Sequence, residues 1–329
     1  MHCLERWVLP GRAVTGSSEG GRVDCSTGRE RLIARLVVKV HGIRRNGSGR
    51  LLEFVCAVAG THTGRVLHDV RNPVDGARIA YQIVGDGPPL LMVHGTALSR
   101  SIWRGFGYVK ALQEQYRLIL VDMRGHGRSD KPHDSDSYAM DLVVGDLLEI
   151  LDTESPFEPA HVLGYSFGGR SVMSLTVEHS ERVRSLTVGG GSSRPMTGAF
   201  DALFFPGCID ALESGGIEGF LSGWGARRGK PVDPQTATAF RINDALALAA
   251  YMRRAEKEQG IDDAVLQRIT TPALLFVGSR DRERLPDTEH LASLIPDSAL
   301  TVIEGADHAS AVADSEAVLR ALVPFLSRQ

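Results

Sequence analysis

Short apolar runs alternate with segments of helical periodicity along most of this chain. Eight runs have the length and composition of buried strands, and they span residues 66–71, 78–84, 89–94, 117–122, 161–166, 183–189, 272–277 and 299–304. Apolar residues recur every three to four positions over residues 137–151 and 315–326, which predicts helices with one buried face. This alternation is typical of an α/β fold with a mainly parallel sheet and helices on both faces. The turn sequence at residues 72–76 predicts that the first two strands are antiparallel.

The alternation is interrupted after the sixth apolar run, where the chain inserts a long segment before the seventh. Helical composition is present there at residues 209–212, 217–224 and 236–255. A minimal strand-helix-strand connection needs far fewer residues. We therefore predict a helical domain at residues 192–269, inserted into a core formed by residues 67–191 and 270–329.

Residues 1–66 do not share this pattern. They contain clusters of Gly, Ser and Arg, and their two apolar stretches, 32–40 and 51–59, show neither sustained periodicity nor clear helix caps. Three explanations compete: a disordered basic extension, an organellar transit peptide rich in Arg and Ser, and sequence upstream of the true start. We favour the last, and an intact Met1 terminus in mass spectrometry of the native protein would overturn it.

Composition and charge narrow the class of protein. The chain of 329 residues is 43% hydrophobic and has a net charge of -3, which favours a sizeable core and gives no sign of nucleic-acid binding. Residues 1–66 carry a net charge of +6, which leaves -9 for the remainder. No apolar run approaches the ~20 residues that span a bilayer, and no secretory signal begins the chain. The cysteines show no metal-ligand spacing; they are Cys3, Cys25, Cys56 and Cys208. We therefore expect a cytoplasmic protein with reduced thiols, no metal, no cofactor, and neither nucleic acid nor membrane as a partner.

The most specific motif is Gly164-Tyr165-Ser166-Phe167-Gly168, which follows the fifth apolar run and precedes a helix-like segment. A serine on a sharp strand-to-helix turn is strained, so the residues two before and two after it must be very small. Glycine occupies both positions. Such a turn exposes Oγ of Ser166 at the carboxyl edge of the sheet, which predicts a nucleophile. A strand-ending turn without chemistry is the alternative.

A serine nucleophile needs a base and a group that orients the base, and the chain supplies candidates for both. Asp281 follows the seventh apolar run, and His308 follows the eighth. The order Ser166, Asp281, His308 is one of the known arrangements of a catalytic triad. The alternatives are that His308 is a surface histidine and that Asp281 only caps the helix near Pro286, with Asp307 as a neighbouring acid.

Four motifs together resemble the α/β-hydrolase fold family, over a match that runs from about residue 67 to the C-terminus. They are the elbow, the order of the triad, the turn at residues 94–96, and the D-x-R-G-x-G-x-S segment at residues 122–129. The resemblance implies an eight-stranded, mainly parallel sheet and a helical cap that roofs the active site. It also implies that the backbone N–H groups of Thr96 and Phe167 form the oxyanion hole.

Aromatic residues predict a partly apolar pocket beneath this cap. Our candidates for substrate contact are Trp103 and Tyr165 from the core and Trp224 from the cap, although core packing is the favoured explanation for each one taken singly. Arg170 is a fourth candidate, because the segment from Gly164 to Arg170 resembles the elbow of the menaquinone-pathway enzyme that eliminates pyruvate. There the arginine helps to bind substrate carboxylates. A position on the helix surface is the alternative for Arg170.

We expect a serine hydrolase that cleaves a small carboxylic ester, lactone or thioester through an acyl-enzyme. Two other hypotheses remain open on the same motifs. One is a pyruvate-eliminating lyase or a carbon-carbon bond hydrolase that uses the same triad. The other is a non-catalytic receptor for a small molecule, because fold alone does not settle chemistry.

Overall fold

The computed structural model describes residues 66–329, so our interpretations of residues 1–65 lie outside the described residues. Eight strands form one sheet. They are β1 (Leu67–Arg71), β2 (Arg78–Val84), β3 (Pro89–Val93), β4 (Arg117–Val121), β5 (Ala160–Tyr165), β6 (Val183–Gly189), β7 (Ala273–Gly278) and β8 (Ser298–Ile303). Their order across the sheet is β1-β2-β4-β3-β5-β6-β7-β8. Only the β1/β2 and β2/β4 pairs are antiparallel. The predicted eight-stranded, mainly parallel sheet is confirmed, with strand ends within one residue of expectation.

Twelve helices accompany the sheet in the described part of the chain. They are α1 (Ser101–Gly105), α2 (Tyr108–Leu112), α3 (Met140–Glu154), α4 (Phe167–Glu178), α5 (Ala199–Leu203), α6 (Cys208–Arg228), α7 (Pro234–Arg241), α8 (Ala245–Ala255), α9 (Asp263–Leu266), α10 (Arg284–Leu294), α11 (His308–Ala313) and α12 (Ser315–Leu326). Two single 3-10 turns, Ser135–Tyr138 and Ser180–Arg182, complete the regular structure.

The sheet separates two hydrophobic cores, because successive side chains of a strand point to opposite faces. On β3, Leu91 and Val93 pack into the core beneath α3 and α4, whereas Leu90 and Met92 pack into the core beneath α2 and α12. All five residues of β3 are buried, as expected for a central strand covered by helices on both faces. Since β5 lies beside β3 at the middle of the sheet, the turn after β5 is anchored on both sides.

Helix boundaries in the region between β6 and β7 differ from the sequence pattern. Residues 209–212 and 217–224 belong to one helix, α6, which continues across a kink at Gly216 (φ 61°). The single helical segment expected at 236–255 is two helices, because the carboxylate of Asp244 accepts the N–H of Ala247 and starts α8 anew. We call residues 192–269, which hold α5 to α9, the inserted segment.

The helix expected at 137–151 begins later than the apolar spacing indicated. Residues Ser135–Tyr138 form a 3-10 turn, and Ala139 has an extended ψ of 143° before α3 starts at Met140. Periodicity locates the buried face of a helix more reliably than its first turn, which depends on local capping. The helix expected at 315–326 coincides with α12.

Candidate active site

Ser166 lies on a sharp turn between β5 and α4, in a backbone conformation with φ 55° and ψ -116°. A Cβ on Gly164 would lie 2.1 Å from the carbonyl oxygen of Gly168, and a Cβ on Gly168 would lie 2.3 Å from that of Val93. Both separations are far below van der Waals contact, so only glycine fits at either position. The N–H of Ser166 donates to the Gly189 carbonyl at 2.7 Å, which ties the turn to β6.

The structure brings Ser166, His308 and Asp281 together, although they are far apart in the sequence. His308 Nε2 lies 3.0 Å from Ser166 Oγ, and His308 Nδ1 lies 2.6 Å from Asp281 Oδ2. The carboxylate can only accept, so Nδ1 carries the proton and Nε2 faces the hydroxyl as an acceptor. This is the relative arrangement of a nucleophile, a base and an orienting carboxylate.

The loops that carry Asp281 and His308 are held against each other. Arg280 N–H donates to the Ala306 carbonyl at 2.8 Å, and a Cβ on Gly278 would lie 2.2 Å from the same oxygen. Asp281 is buried, and its second oxygen accepts the N–H of Arg284 at 3.3 Å, at the start of α10. The carboxylate of Asp307 instead caps α11 through Ser310, so it is not the partner of the imidazole.

The backbone N–H groups of Thr96 and Phe167 lie beside Ser166 and are among those with no hydrogen-bond acceptor in residues 66–329. Phe167 opens α4, so the positive end of the helix dipole adds to its N–H. Thr96 follows Gly95, whose backbone approaches Ser166 so closely that an added Cβ would lie 3.0 Å from the serine Cβ. These are the two groups expected to form the oxyanion hole.

Two buried histidines fix the turn that carries Thr96. His94 Nε2 accepts the N–H of Met123 at 3.1 Å, so its Nδ1 donates to the Gly95 carbonyl at 2.8 Å. That carbonyl belongs to the same peptide group as the N–H of Thr96. His126 Nε2 accepts the N–H of Ala97 at 3.1 Å, on the other side of Thr96. Burial lowers the pKa of His94 to about 4 and that of His126 to about 3, so both rings are neutral acceptors near pH 7.

A cavity of about 30 Å³ opens over Ser166. It is lined by residues from the core, from the inserted segment and from α10: Thr96, Ser166, Phe167, Arg170, Gly190, Ser192, Met196, Ala199, Phe200, Leu203 and Arg284. Its wall is mixed, with apolar side chains from the inserted segment and two guanidinium groups. Space for roughly two water molecules is available at this size.

Of the four residues expected to contact substrate, only Arg170 lines the cavity. Trp103 is fully buried in the core beneath α2 and α12, with its ring edge-on to that of Tyr108 and the ring centroids 5.2 Å apart. Tyr165 is buried behind His308, where its hydroxyl donates to the His308 carbonyl. Trp224 packs among phenylalanines within the inserted segment. These three aromatic residues pack in hydrophobic cores and do not line the cavity. Residue type could not show this, because a large aromatic side chain is stabilised by contacts in a core as well as in a pocket.

Arg170 is 4% exposed and lies outside any ion pair within residues 66–329. Its terminal nitrogens donate to the carbonyls of Ser192, Arg194 and Gln259, and its Nε has no partner. Burial lowers the pKa of the guanidinium, although not enough to discharge it near pH 7. A buried positive charge therefore forms part of the cavity wall, with Glu258 acting on it at longer range and no carboxylate of residues 66–329 in direct contact.

Sequence reasoning missed two residues of the site. Arg284 lines the cavity and pairs with Asp287 at 3.0 Å. Its position three residues after Asp281 was an available signal. Tyr251 of α8 places its hydroxyl 2.7 Å from Thr96 Oγ1. No motif of the sequence joins Tyr251 to Thr96, so no signal at either position predicts this contact.

Residues 66–329 contain neither a cluster of metal ligands nor a membrane-spanning helix. In residues 66–329, no three His, Cys, Asp or Glu side chains come together as a metal site. The same part of the chain contains no helix long and apolar enough to cross a bilayer.

Comparison with known protein families gives one match over the centre of the chain. A family model described as alpha/beta hydrolase fold matches residues 88–205. The matched range includes the turn with Thr96 and the elbow with Ser166. It ends within the inserted segment, before Asp281 and His308.

Individual relatives extend the likeness to nearly the whole described chain. A protein of Stutzerimonas stutzeri (strain A1501), provisionally assigned as the carbamate hydrolase RutD, is 28% identical over 255 residues, which are 74% of this chain and 93% of that protein. The 2-hydroxymuconate semialdehyde hydrolase of Pseudomonas sp. (strain CF600) is 36% identical over 132 residues, covering 39% of this chain and 46% of the relative. The solved structure of the esterase RhEst1 from Rhodococcus sp. ECU1013 is 26% identical, with a TM-score of 0.63 over 79% of this chain and 98% of that one.

Proposed function

The chain belongs to the α/β-hydrolase fold family, and we propose that this hydrolase cleaves a small carboxylic ester, lactone or thioester through an acyl-enzyme on Ser166. The observation that carries the proposal is the pair of contacts made by His308, 3.0 Å to Ser166 Oγ and 2.6 Å to Asp281 Oδ2. Both lie within hydrogen-bonding range, as nucleophilic catalysis by a serine requires.

The mechanism follows from the protonation states that this geometry imposes. As Ser166 Oγ attacks the carbonyl carbon, His308 Nε2 takes its proton, and Asp281 stabilises the imidazolium that forms. The carbonyl oxygen becomes negatively charged and accepts the N–H groups of Thr96 and Phe167. His308 then gives its proton to the leaving oxygen or sulfur, which leaves Ser166 acylated. Water attacks the acyl carbon with His308 again acting as base, and Ser166 is regenerated.

The test compares wild type with Ser166→Ala on p-nitrophenyl acetate and with a fluorophosphonate probe. We expect the variant to lose hydrolysis by about 10³-fold or more and to resist labelling, because the attacking oxygen is gone. Ser174→Ala is the matched control, since Ser174 is buried on the same helix and does not line the cavity. Full activity of Ser166→Ala, or a wild-type protein that the probe does not label, contradicts the proposal.

A second candidate reaction uses the same residues on a substrate that carries a carboxylate, with cleavage of a carbon-carbon bond or elimination of pyruvate. The specific observation in its favour is Arg170, whose buried charge faces the cavity without a carboxylate partner. Since an unpaired buried charge is costly, an anionic substrate would supply the missing partner. One relative is named for action on 2-hydroxymuconate semialdehyde, which is an anion of this kind.

The two reactions are separated by supplying both substrates to the same protein. We expect p-nitrophenyl acetate to be the better substrate if the acyl-transfer proposal holds. Faster consumption of 2-hydroxymuconate semialdehyde, followed by its absorbance, would favour the second candidate. In that case Arg170→Met should raise KM for the anion more than KM for p-nitrophenyl acetate, because both substrates are affected by the loss of the bonds to the backbone carbonyls, whereas only the anion also loses a partner of opposite charge.

A further inference from the structure

The hydroxyl groups of Thr96 and Tyr251 form an isolated pair. Their oxygens lie 2.7 Å apart, and neither has another hydrogen-bond partner among residues 66–329. Thr96 lies on the turn after β3, whereas Tyr251 is on α8 of the inserted segment. Because each hydroxyl has one proton, one group donates to the other and the proton of the second is left for a different acceptor.

Burial decides which group donates. Tyr251 is 1% exposed, so a proton on its hydroxyl that did not point to Thr96 would be buried without an acceptor, which is costly. Thr96 is only half-buried and lines the cavity. Burial also raises the pKa of Tyr251 above its usual value, so the phenol keeps its proton. Tyr251 therefore donates to Thr96 Oγ1.

With its oxygen occupied in this way, Thr96 has a proton left for an acceptor in the cavity that it lines together with Ser166. We propose that the Thr96 hydroxyl is a third donor to the oxyanion, in addition to the two backbone N–H groups, and that Tyr251 is the positioning residue that orients it. This inference rests on the proposed acyl-transfer function. A hydroxyl that accepts one hydrogen bond is also a stronger donor, since chained hydrogen bonds polarise one another.

The surroundings of Tyr251 keep its hydroxyl in place. Its ring is edge-on to Phe167 at 4.6 Å, to His126 at 5.7 Å and to Phe200 at 5.9 Å. Phe167 supplies one predicted oxyanion N–H, and His126 holds the peptide that follows Thr96. One side chain of the inserted segment thus touches the parts of the site where negative charge develops. A donor held rigidly in this way needs no reorganisation during the reaction.

The test measures kcat and KM for p-nitrophenyl acetate in wild type, Thr96→Val, Thr96→Ser and Tyr251→Phe. We expect Thr96→Val to lower kcat by about 10²-fold with KM within about twofold, because an oxyanion donor acts in the transition state. Thr96→Ser keeps a hydroxyl and should stay within about fivefold of wild type. Tyr251→Phe should lower kcat by roughly threefold to tenfold, since it removes one neutral hydrogen bond.

The double variant Thr96→Val/Tyr251→Phe should be no slower than Thr96→Val alone, because Tyr251 acts through the hydroxyl that Thr96→Val removes. Matched controls are Thr176→Val and Tyr81→Phe. Each removes a buried hydroxyl that bonds elsewhere, Thr176 to the Val172 carbonyl and Tyr81 to Glu154. Both controls should keep wild-type kcat, even if their melting temperatures fall.

Three results would overturn the inference, and they differ from one another. Thr96→Val with kcat within about threefold of wild type, beside an inactive Ser166→Ala, would make the Thr96–Tyr251 bond a structural tie and leave the proposed function intact. In the second result, kcat of the double variant falls below that of Thr96→Val by the same factor by which Tyr251→Phe lowers kcat of the wild type. Independent effects of this kind would mean that Tyr251 does not act through the Thr96 hydroxyl. A wild-type protein that neither hydrolyses the ester nor reacts with a fluorophosphonate would remove the proposed function and this inference together.

Discussion

Ser166 is one of two non-glycine residues with positive φ in residues 66–329, and the other is Ala97, beside Thr96. Strain of this kind costs about 1–3 kcal/mol for each residue and persists only where neighbouring contacts determine the backbone. Here those contacts are the close approach of Gly164, Gly168 and β3, the hydrogen bond that His94 donates to the Gly95 carbonyl, and the one that His126 accepts from Ala97. The two strained residues thus coincide with the predicted nucleophile and with the turn of the predicted oxyanion donor.

Gly168→Ala should abolish activity and lower the melting temperature, because the new Cβ would lie 2.3 Å from the Val93 carbonyl oxygen and 2.4 Å from that of His94. Relief of this overlap would have to move either β3 or the start of α4. Gly105→Ala is the matched control, since a Cβ there meets nothing within 4 Å. Ester hydrolysis and thermal melts of the two variants decide the matter. An active, stable Gly168→Ala would show that the turn is more adaptable than its geometry indicates.

At the scale of single residues, the sequence predicts which side chains follow the strands. It does not predict which side chains from distant segments contact each other. Ser166, Asp281 and His308 were identifiable because each comes just after a strand, and the carboxyl ends of parallel strands meet at one edge of a sheet. Tyr251 was not assigned to Thr96, because nothing in either neighbourhood encodes a contact across 155 residues. By residue type alone, Trp103 was compatible with the wall of a pocket and with a hydrophobic core. Only its packing in the structure shows that it belongs to a core.

Among the structural elements, the inserted segment has an aromatic cluster of its own. Phe220 of α6 is fully buried between Phe204 at 5.0 Å and Phe240 at 5.2 Å, and Trp224 lies 5.0 Å from Phe204. Edge-to-face and stacked pairs of this kind add stability beyond the burial of their area. The cluster joins α5, α6 and α7, so it stabilises the insertion rather than the substrate cavity.

Phe220→Ala should lower the free energy of unfolding by about 3 kcal/mol or more, because it removes a buried ring and leaves a void among its neighbours. For a protein of this size the melting temperature should fall by roughly 6 to 12 °C. Phe157→Ala makes the same chemical change at a ring that is 98% exposed, and its effect should be within about 0.5 kcal/mol. Calorimetry compares the two, and equal effects would mean that the cluster contributes no more than a surface ring.

Element boundaries in the insertion were harder to predict than its helical character. The sequence at 214–216 indicated a break, but α6 continues with only a kink, because packing of both halves outweighs the local cost of glycine. The break between α7 and α8 lies at residues 242–244, Ile-Asn-Asp, which are weaker helix formers than their neighbours, and Asp244 acts as a cap. The composition of 236–255 as a whole favoured one helix, whereas this local cap divides it into two.

At the scale of the whole molecule, three buried histidines link stability to pH. Burial lowers the pKa of His94 and of His161 to about 4 and that of His126 to about 3. In the unfolded chain a histidine takes up its proton near pH 6.5. Between pH 6.5 and about 4 the unfolded state therefore binds protons that the folded state does not, and stability falls as the pH falls.

We expect the free energy of unfolding to decrease by up to about 1.4 kcal/mol per pH unit for each of these histidines below pH 6.5. His161 is the one to replace, because it contacts Ser185 and Tyr116 on the sheet and does not line the cavity. His161→Gln should reduce the slope of stability against pH by up to one proton, whereas above about pH 7.5 its slope should match that of wild type. Denaturant titrations at a series of pH values measure both slopes. Identical slopes at pH 5 to 6 would mean that His161 is protonated in the folded state.

Arg170 has a consequence for how this enzyme could be rebuilt. Its guanidinium binds the Ser192 and Arg194 carbonyls where the insertion departs and the Gln259 carbonyl near where it returns. The single side chain of Arg170 thus links both ends of the inserted segment to α4, the helix that follows Ser166. A helical segment from another protein, inserted between residues 194 and 259, would keep these hydrogen bonds. The segment could therefore be exchanged to change substrate specificity while the core stays the same.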